Sequence, residues 1–352
     1  MSTDILKMMG WDIGGVNIKA ARLTLQNKKI EDIRVVVRPF EIWHEKEKLP
    51  GVLQEIGDEL GVKETHAMAV TMTAELSDIF PSKKQGVLSI LDAVDEAFPE
   101  RSVYLLGLSG DLVSLKEARQ GPLRFAATNW LASAQFVAKK IRDGILVDVG
   151  STTTDIIPIR DGRVAAQGLT DMARLSSGEL VYTGALRTNP NTVASMIPIH
   201  GLNCRVSAEY FAVMGDVYVI LGYVSPETYS CSTPDGRDKS LQGARERLSR
   251  LVCADGDMLS EGDIFKLARY LFEKQLQQIA EALFQVLSRL ADGYRLPLVV
   301  AGTGSFLVVE IGRRLGMTTV DLVEELGEKA MTALPSLAVA HFLAEQMDEK
   351  MR

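Results

Sequence analysis

Two stretches of this chain follow the same plan. The first runs Trp11-Asp12-Ile13-Gly14-Gly15-Val16-Asn17-Ile18-Lys19-Ala20-Ala21-Arg22-Leu23, and the second runs Val147-Asp148-Val149-Gly150-Ser151-Thr152-Thr153-Thr154-Asp155-Ile156-Ile157-Pro158-Ile159. In each, an apolar run ends in aspartate, a branched residue and glycine, and a second apolar run follows. That pattern predicts strand, turn, strand. Its recurrence so far along the chain points to an internal duplication of fold, because short-period repeats recur every few tens of residues. The chain is therefore expected to be α/β with two related domains, which suits its 352 residues.

The remaining pattern fits this plan. Strands are predicted at 8–14, 18–25, 30–37, 67–71, 103–108, 145–150, 154–160, 163–167 and 298–301. Helical spacing of apolar residues marks 49–60, 84–97, 129–141, 306–315 and 335–350. Ser260 is an N-cap candidate for a long helix over about 263–291. Residues 225–260 are rich in Ser, Gly, Pro and charge and are expected to form a surface insertion. The domains are placed at 1–142 plus 331–352, and at 143–330.

Charge and cysteine usage narrow the function. The net charge of -7 argues against nucleic acid, which needs a basic face. No apolar run approaches ~18 residues, so no membrane span is expected. The first residues lack the basic start and apolar core of a signal peptide. Cys204, Cys231 and Cys253 show no CxxC spacing, so buried free thiols and a cytoplasmic location are expected. His44, His66, His200 and His341 form no metal-ligand motif.

Three turns carry candidate chemistry. In the first, Gly14 and Gly15 let main-chain N–H groups approach an anion, Asn17 and Lys19 add donors, and Asp12 suits a metal ion or its bound water. The bland alternative is a β-turn whose aspartate satisfies backbone N–H groups. In the second, Gly150, Ser151, Thr152, Thr153 and Thr154 place hydroxyls between Asp148 and Asp155, which could position magnesium or steer a proton. The alternative is a hairpin with threonines chosen for strand propensity. In the third, Gly302-Thr303-Gly304 follows a buried strand and opens a helix, whose positive end suits an anion.

Taken in order, the three turns resemble the phosphate-1, phosphate-2 and adenosine signatures of the actin-like ATPase/sugar-kinase superfamily. The run Gly150–Asp155 looks like its hydantoinase/oxoprolinase branch. Thr73–Asp78, Ala127–Ala132, Ser177–Gly184 and Arg187-Thr188 are similar to the methanofuran-biosynthesis transferases of that branch, although Asn189-Pro190 stands where that pattern continues with proline at once.

The resemblance implies two actin-like, ribonuclease H-like domains. Each would have a mixed five-stranded sheet flanked by helices, with a ligand cleft between them. It also implies transfer of an aminomethylfuran-methyl group from its diphosphate to the phenol of γ-glutamyl-tyramine. Magnesium is the expected cofactor; ATP could bind but is not expected to be required. The phenol needs a proton acceptor, and Asp12, Asp148 and Asp155 are the candidates. Glu179, Tyr182 and Arg187 are further substrate-contact candidates. Asp216 is a weaker metal candidate, with a structural role favoured. Glu75 and Asp78 fit a helix start. A homo-oligomer is left open. The competing readings are an ATP-dependent kinase or hydrolase of the same branch, and a non-enzymatic nucleotide-gated scaffold.

Overall fold

The structure is a computed structural model that describes residues 5–350; residues 1–4 and 351–352 of the anticipated first domain lie outside the described residues. The chain divides into two compact units. One comprises Met1–Asp143, Ile159–Ala165 and Asp321–Arg352, and the other Gly144–Pro158 and Ala166–Val320.

The first unit is built on strands β1 (Ile5–Ile13), β2 (Asn17–Gln26), β3 (Lys29–Pro39), β4 (Ala67–Met72), β5 (Val103–Leu106) and β6 (Leu112–Ser114), in the order β3-β2-β1-β4-β5-β6. Strands β1, β4 and β5 run parallel, while β2, β3 and β6 add antiparallel partners. Side chains alternate between the faces of a strand. Met9, Trp11 and Ile13 join one core with Leu53 and Ile56 of helix 49–59 and with Val87, Ile90 and Leu91 of helix 83–97. On the opposite face, helix 334–350 packs against β1, β2 and β4. Gly10 permits this, since a Cβ there would lie 1.9 Å from the Ser336 carbonyl oxygen. Asp12 shares the parity of Gly10.

The other main sheet, which lies mostly in the second unit, joins β7 (Gly144–Val149), β8 (Thr154–Arg160), β10 (Leu180–Val181), β13 (Leu298–Ala301) and β14 (Thr319–Asp321), in the order β10-β8-β7-β13-β14. The strand between β8 and β10, β9 (Arg163–Val164), pairs with the end of β8, while β11 (Met196–Ile199) and β12 (Leu202–Arg205) form a separate hairpin. Each main sheet therefore has six strands where five were expected. The additions are very short, and strands of two or three residues carry no readable alternation.

The 27-residue helix 261–287 begins in a capping box between Ser260 and Asp263. Residues 225–260 lie only partly at the surface. Helix 241–249 packs on helices 214–221 and 261–287, and Tyr229, Cys231, Ala244, Arg247, Leu248 and Leu251 are buried. The polar composition misled because part of it is internal: Arg247 pairs with Asp216 and Asp235. The three cysteines are free, but only Cys231 is buried; Cys204 is half-buried and Cys253 exposed. Among the described residues, no helix is long and apolar enough to cross a membrane.

Candidate functional site

In the second unit, two of the three glycine turns form one structure. Strand β13 runs parallel to β7 with Ala301 opposite Asp148. The chain then turns at Gly302, whose φ is +84°, a conformation that strongly favours glycine. A Cβ there would stand 2.3 Å from both an oxygen of the Asp148 carboxylate and the Val149 carbonyl. Two residues on, the Gly304 amide donates to the Val149 carbonyl at 2.8 Å. Helix 305–315 starts at this point without a side-chain cap, so its positive dipole end lies at the turn.

The hydroxyl turn between β7 and β8 is closed by the Gly150 amide on the Thr153 carbonyl, 2.9 Å. Ser151, Thr152 and Thr153 are half-buried there. Thr154 is not available as a ligand: it is fully buried and its hydroxyl donates to the Thr183 carbonyl at 2.7 Å.

The loop 183–188 braces this turn from behind. The Ala185 amide donates to the Gly150 carbonyl at 2.9 Å, and the Leu186 and Arg187 amides to the Ser151 carbonyl at 3.0 and 2.8 Å. A Cβ on Gly184 would sit 2.5 Å from the Thr152 nitrogen. Gln275, wholly buried on helix 261–287, donates to the Thr183 hydroxyl at 2.8 Å and the Gly184 carbonyl at 2.9 Å. It accepts a bond from Tyr218, whose phenol burial holds well above its usual pKa and hence protonated. Sequence reasoning did not single out Gln275 or Tyr218, and met Thr183 only as part of the stretch Ser177–Gly184. The one available signal was a glutamine on the apolar stripe formed by Leu271, Phe272, Leu276 and Ile279.

Several predicted site residues belong to this supporting frame. Asp155 pairs with the buried guanidinium of Arg174, which also donates to the Glu179 carbonyl at 3.2 Å. Glu179 itself is inaccessible. Its carboxylate accepts from the Gln167 and Gly168 amides at 2.7 and 2.8 Å, from the Ser177 hydroxyl at 3.0 Å and from Arg289. These engagements replace the catalytic expectation for Asp155 and the substrate-contact expectation for Glu179. Asp216 is likewise structural and not a metal ligand. It is gripped by Arg247 at 2.8 and 3.0 Å, the Val213 amide at 3.1 Å and the Tyr229 hydroxyl at 3.3 Å. Burial raises its pKa against the pull of Arg247. Tyr182 is exposed and Arg187 half-buried.

The first unit presents a plainer hairpin. Asp12, buried at the end of β1, lies opposite Lys19 on β2 and beside Thr71 on β4. The Lys19 ammonium is 3.9 Å from its carboxylate. The Gly14 amide donates to the Asn17 carbonyl at 3.0 Å, and a Cβ on Gly14 would lie 2.7 Å from that oxygen. Gly14 and Gly15 are not at positive φ, so close approach, and not handedness, is what the turn asks of Gly14. The carbonyls of Gly15 and Val16 accept from the Ile42 and Phe40 amides. Glu75 is buried, with Lys83 at 3.8 Å, and Asp78 is exposed. Among the described residues, no group of three or more His, Cys, Asp or Glu is arranged to hold a metal ion.

Similarity to known proteins agrees with this architecture. A nucleotide-free structure of acetone carboxylase superimposes with a TM-score of 0.56 at 10% identity, over 96% of this chain and 70% of that one, which is a likeness of fold. A curated protein of Methanocaldococcus jannaschii, (4-{4-[2-(gamma-L-glutamylamino)ethyl]phenoxymethyl}furan-2-yl)methanamine synthase, is 36% identical over 98% of this chain and 99% of its own length. A protein of the same name from Methanococcus vannielii is 33% identical over 62% of this chain and 99% of its own. Residues 66–346 match the hydantoinase/oxoprolinase family. With that match and a curated relative aligned over nearly its whole length, the chain belongs to the hydantoinase/oxoprolinase family.

Proposed function

We propose that the chain is a transferase of methanofuran biosynthesis: it joins an aminomethylfuran-methyl diphosphate to the phenol oxygen of γ-glutamyl-tyramine and releases diphosphate. The observation that carries this reading is the 36% identity over 98% of the chain to a synthase whose named product contains that ether linkage.

The chemistry suits the residues. The bond between the furanylmethyl carbon and the diphosphate oxygen breaks as the furan ring stabilises the growing positive charge. The electron pair leaves with diphosphate. Ser151, Thr152, Thr153 and the glycine turn 302–304 would receive that negative charge, and a preorganised donor at such a position contributes ~3 kcal/mol. The phenol oxygen then closes the new C–O bond. A free phenol has a pKa of ~10, but its oxygen becomes strongly acidic as it bonds to carbon, so a carboxylate can take the proton late. We assign that role to Asp148, which is half-buried at the cradle and lies against the turn at Gly302.

Magnesium fits as an ion shared with the phosphates. It keeps several waters and takes one or two carboxylates, so Asp148 could hold it through one of those waters without a protein cage. Bound there, it would neutralise charge on the leaving diphosphate.

The test is to supply the furan diphosphate and γ-glutamyl-tyramine with ATP omitted. Ether product and diphosphate are expected in equal amounts. A strict ATP requirement with ADP formation would instead make the protein a kinase or ATP-using hydrolase.

A further inference from the structure

Four aromatic rings of the second unit close against one another beside the third glycine turn. Phe306 is the second residue of helix 305–315, two positions beyond Gly304. Its ring stacks on Tyr223, centroids 4.6 Å apart and planes 8° from parallel. Tyr223 stacks in turn on Phe272, 5.5 Å and 6°. Tyr218 meets Phe306 edge-on at 4.8 Å, and the Arg269 guanidinium lies over Phe272 at 4.7 Å. Tyr218 and Phe272 are buried, while Tyr223 keeps 44% of its surface exposed.

Tyr218 is also the residue that bonds Gln275, which holds the loop behind the hydroxyl turn. The ring cluster and the phosphate cradle are therefore one connected piece of the second unit. A planar ligand gains affinity from an aromatic side chain by covering its face. Here Phe306, the ring next to the turn, already has its stacking partner in Tyr223, and Tyr218 packs against it edge-on.

We infer that Phe306 and Tyr223 determine specificity by stacking on each other beside the glycine turn, so that the ring face next to the turn is already covered. They restrict the cradle to diphosphates whose organic part is absent or is one small ring, and exclude purine nucleoside diphosphates. The inference rests on the diphosphate reading above.

The experiment is calorimetric titration of the full chain, with magnesium present, by inorganic diphosphate and by ADP. The wild-type protein is expected to bind diphosphate at least tenfold more tightly than ADP. Tyr223→Ala, a change at a partly exposed ring, should strengthen ADP binding at least tenfold and leave diphosphate binding unchanged. Phe306→Ala should act in the same direction. Equal or tighter ADP binding by the wild-type chain overturns the inference with no variant needed, as does an unchanged ratio in both variants. A wild-type chain that binds ADP but not diphosphate removes the diphosphate reading itself, and one that binds neither ligand removes both.

Discussion

The two aspartate-led hairpins share a strand plan and differ in what surrounds the turn. In the first unit the turn is held by main chain: Gly14 bonds Asn17, and the carbonyls of Gly15 and Val16 are taken by Ile42 and Phe40. Its carboxylate is buried, with the Lys19 ammonium 3.9 Å away. In the second unit the turn presents Ser151, Thr152 and Thr153. It is braced by loop 183–188 on one side, and Asp148 and Val149 before it pack on Gly302–Gly304. One strand plan is thus equipped unequally. The hairpin with fixed hydroxyl donors suits charge that grows during a reaction, because preorganised groups need no reorientation as it develops. The plainer hairpin suits static positioning of charge.

That asymmetry is most exposed to a paired substitution. Asp148→Ala should lower kcat for ether formation about 1,000-fold, equivalent to ~4 kcal/mol, the range of a lost proton acceptor. Asp12→Ala should cost only about tenfold, the size of one charge-assisted contact. Steady-state rates of diphosphate release decide this, and equal losses would remove the functional distinction between the hairpins.

A smaller effect concerns stability. The Asp155–Arg174 pair is buried, and Arg174→Met strands a carboxylate, so a loss of ~3 kcal/mol is expected. Lys19 is a quarter exposed and its contact is long, so Lys19→Met should cost under ~1 kcal/mol. Urea unfolding midpoints give the order. A larger shift for Lys19→Met would mean that the first turn, and not the second, depends on charge pairing.

The strands and turns that build both hairpins were legible because each carries its signal locally: an apolar run, an aspartate, a glycine. Strand β13 was readable from Leu298–Ala301 alone, and the long helix from its apolar spacing and Ser260. What sequence could not supply were partnerships across long separations. Gln275 meets Thr183 and Tyr218 from 92 and 57 positions away, and nothing in its neighbours announces either. Asp155 read as a site residue because a carboxylate near a glycine turn suggests chemistry, and Glu179 because it falls in the stretch Ser177–Gly184 that resembles the methanofuran transferases. Only their pairing with Arg174 and Arg289 shows them to be framework. The buried part of 225–260 escaped notice for a related reason, since polar composition does not reveal that Arg247 is internal.

The most direct measurement is a crystal structure of the chain with diphosphate and magnesium. Diphosphate is predicted to lie against Ser151–Thr153 and the turn Gly302–Gly304, with no side chain of Glu179 or Asp216 touching it. Diphosphate seated away from the β7–β8 turn would contradict the assignment. The basic cavity of about 460 Å³ lined by Arg101, Lys116 and Arg119 in the first unit is one such location.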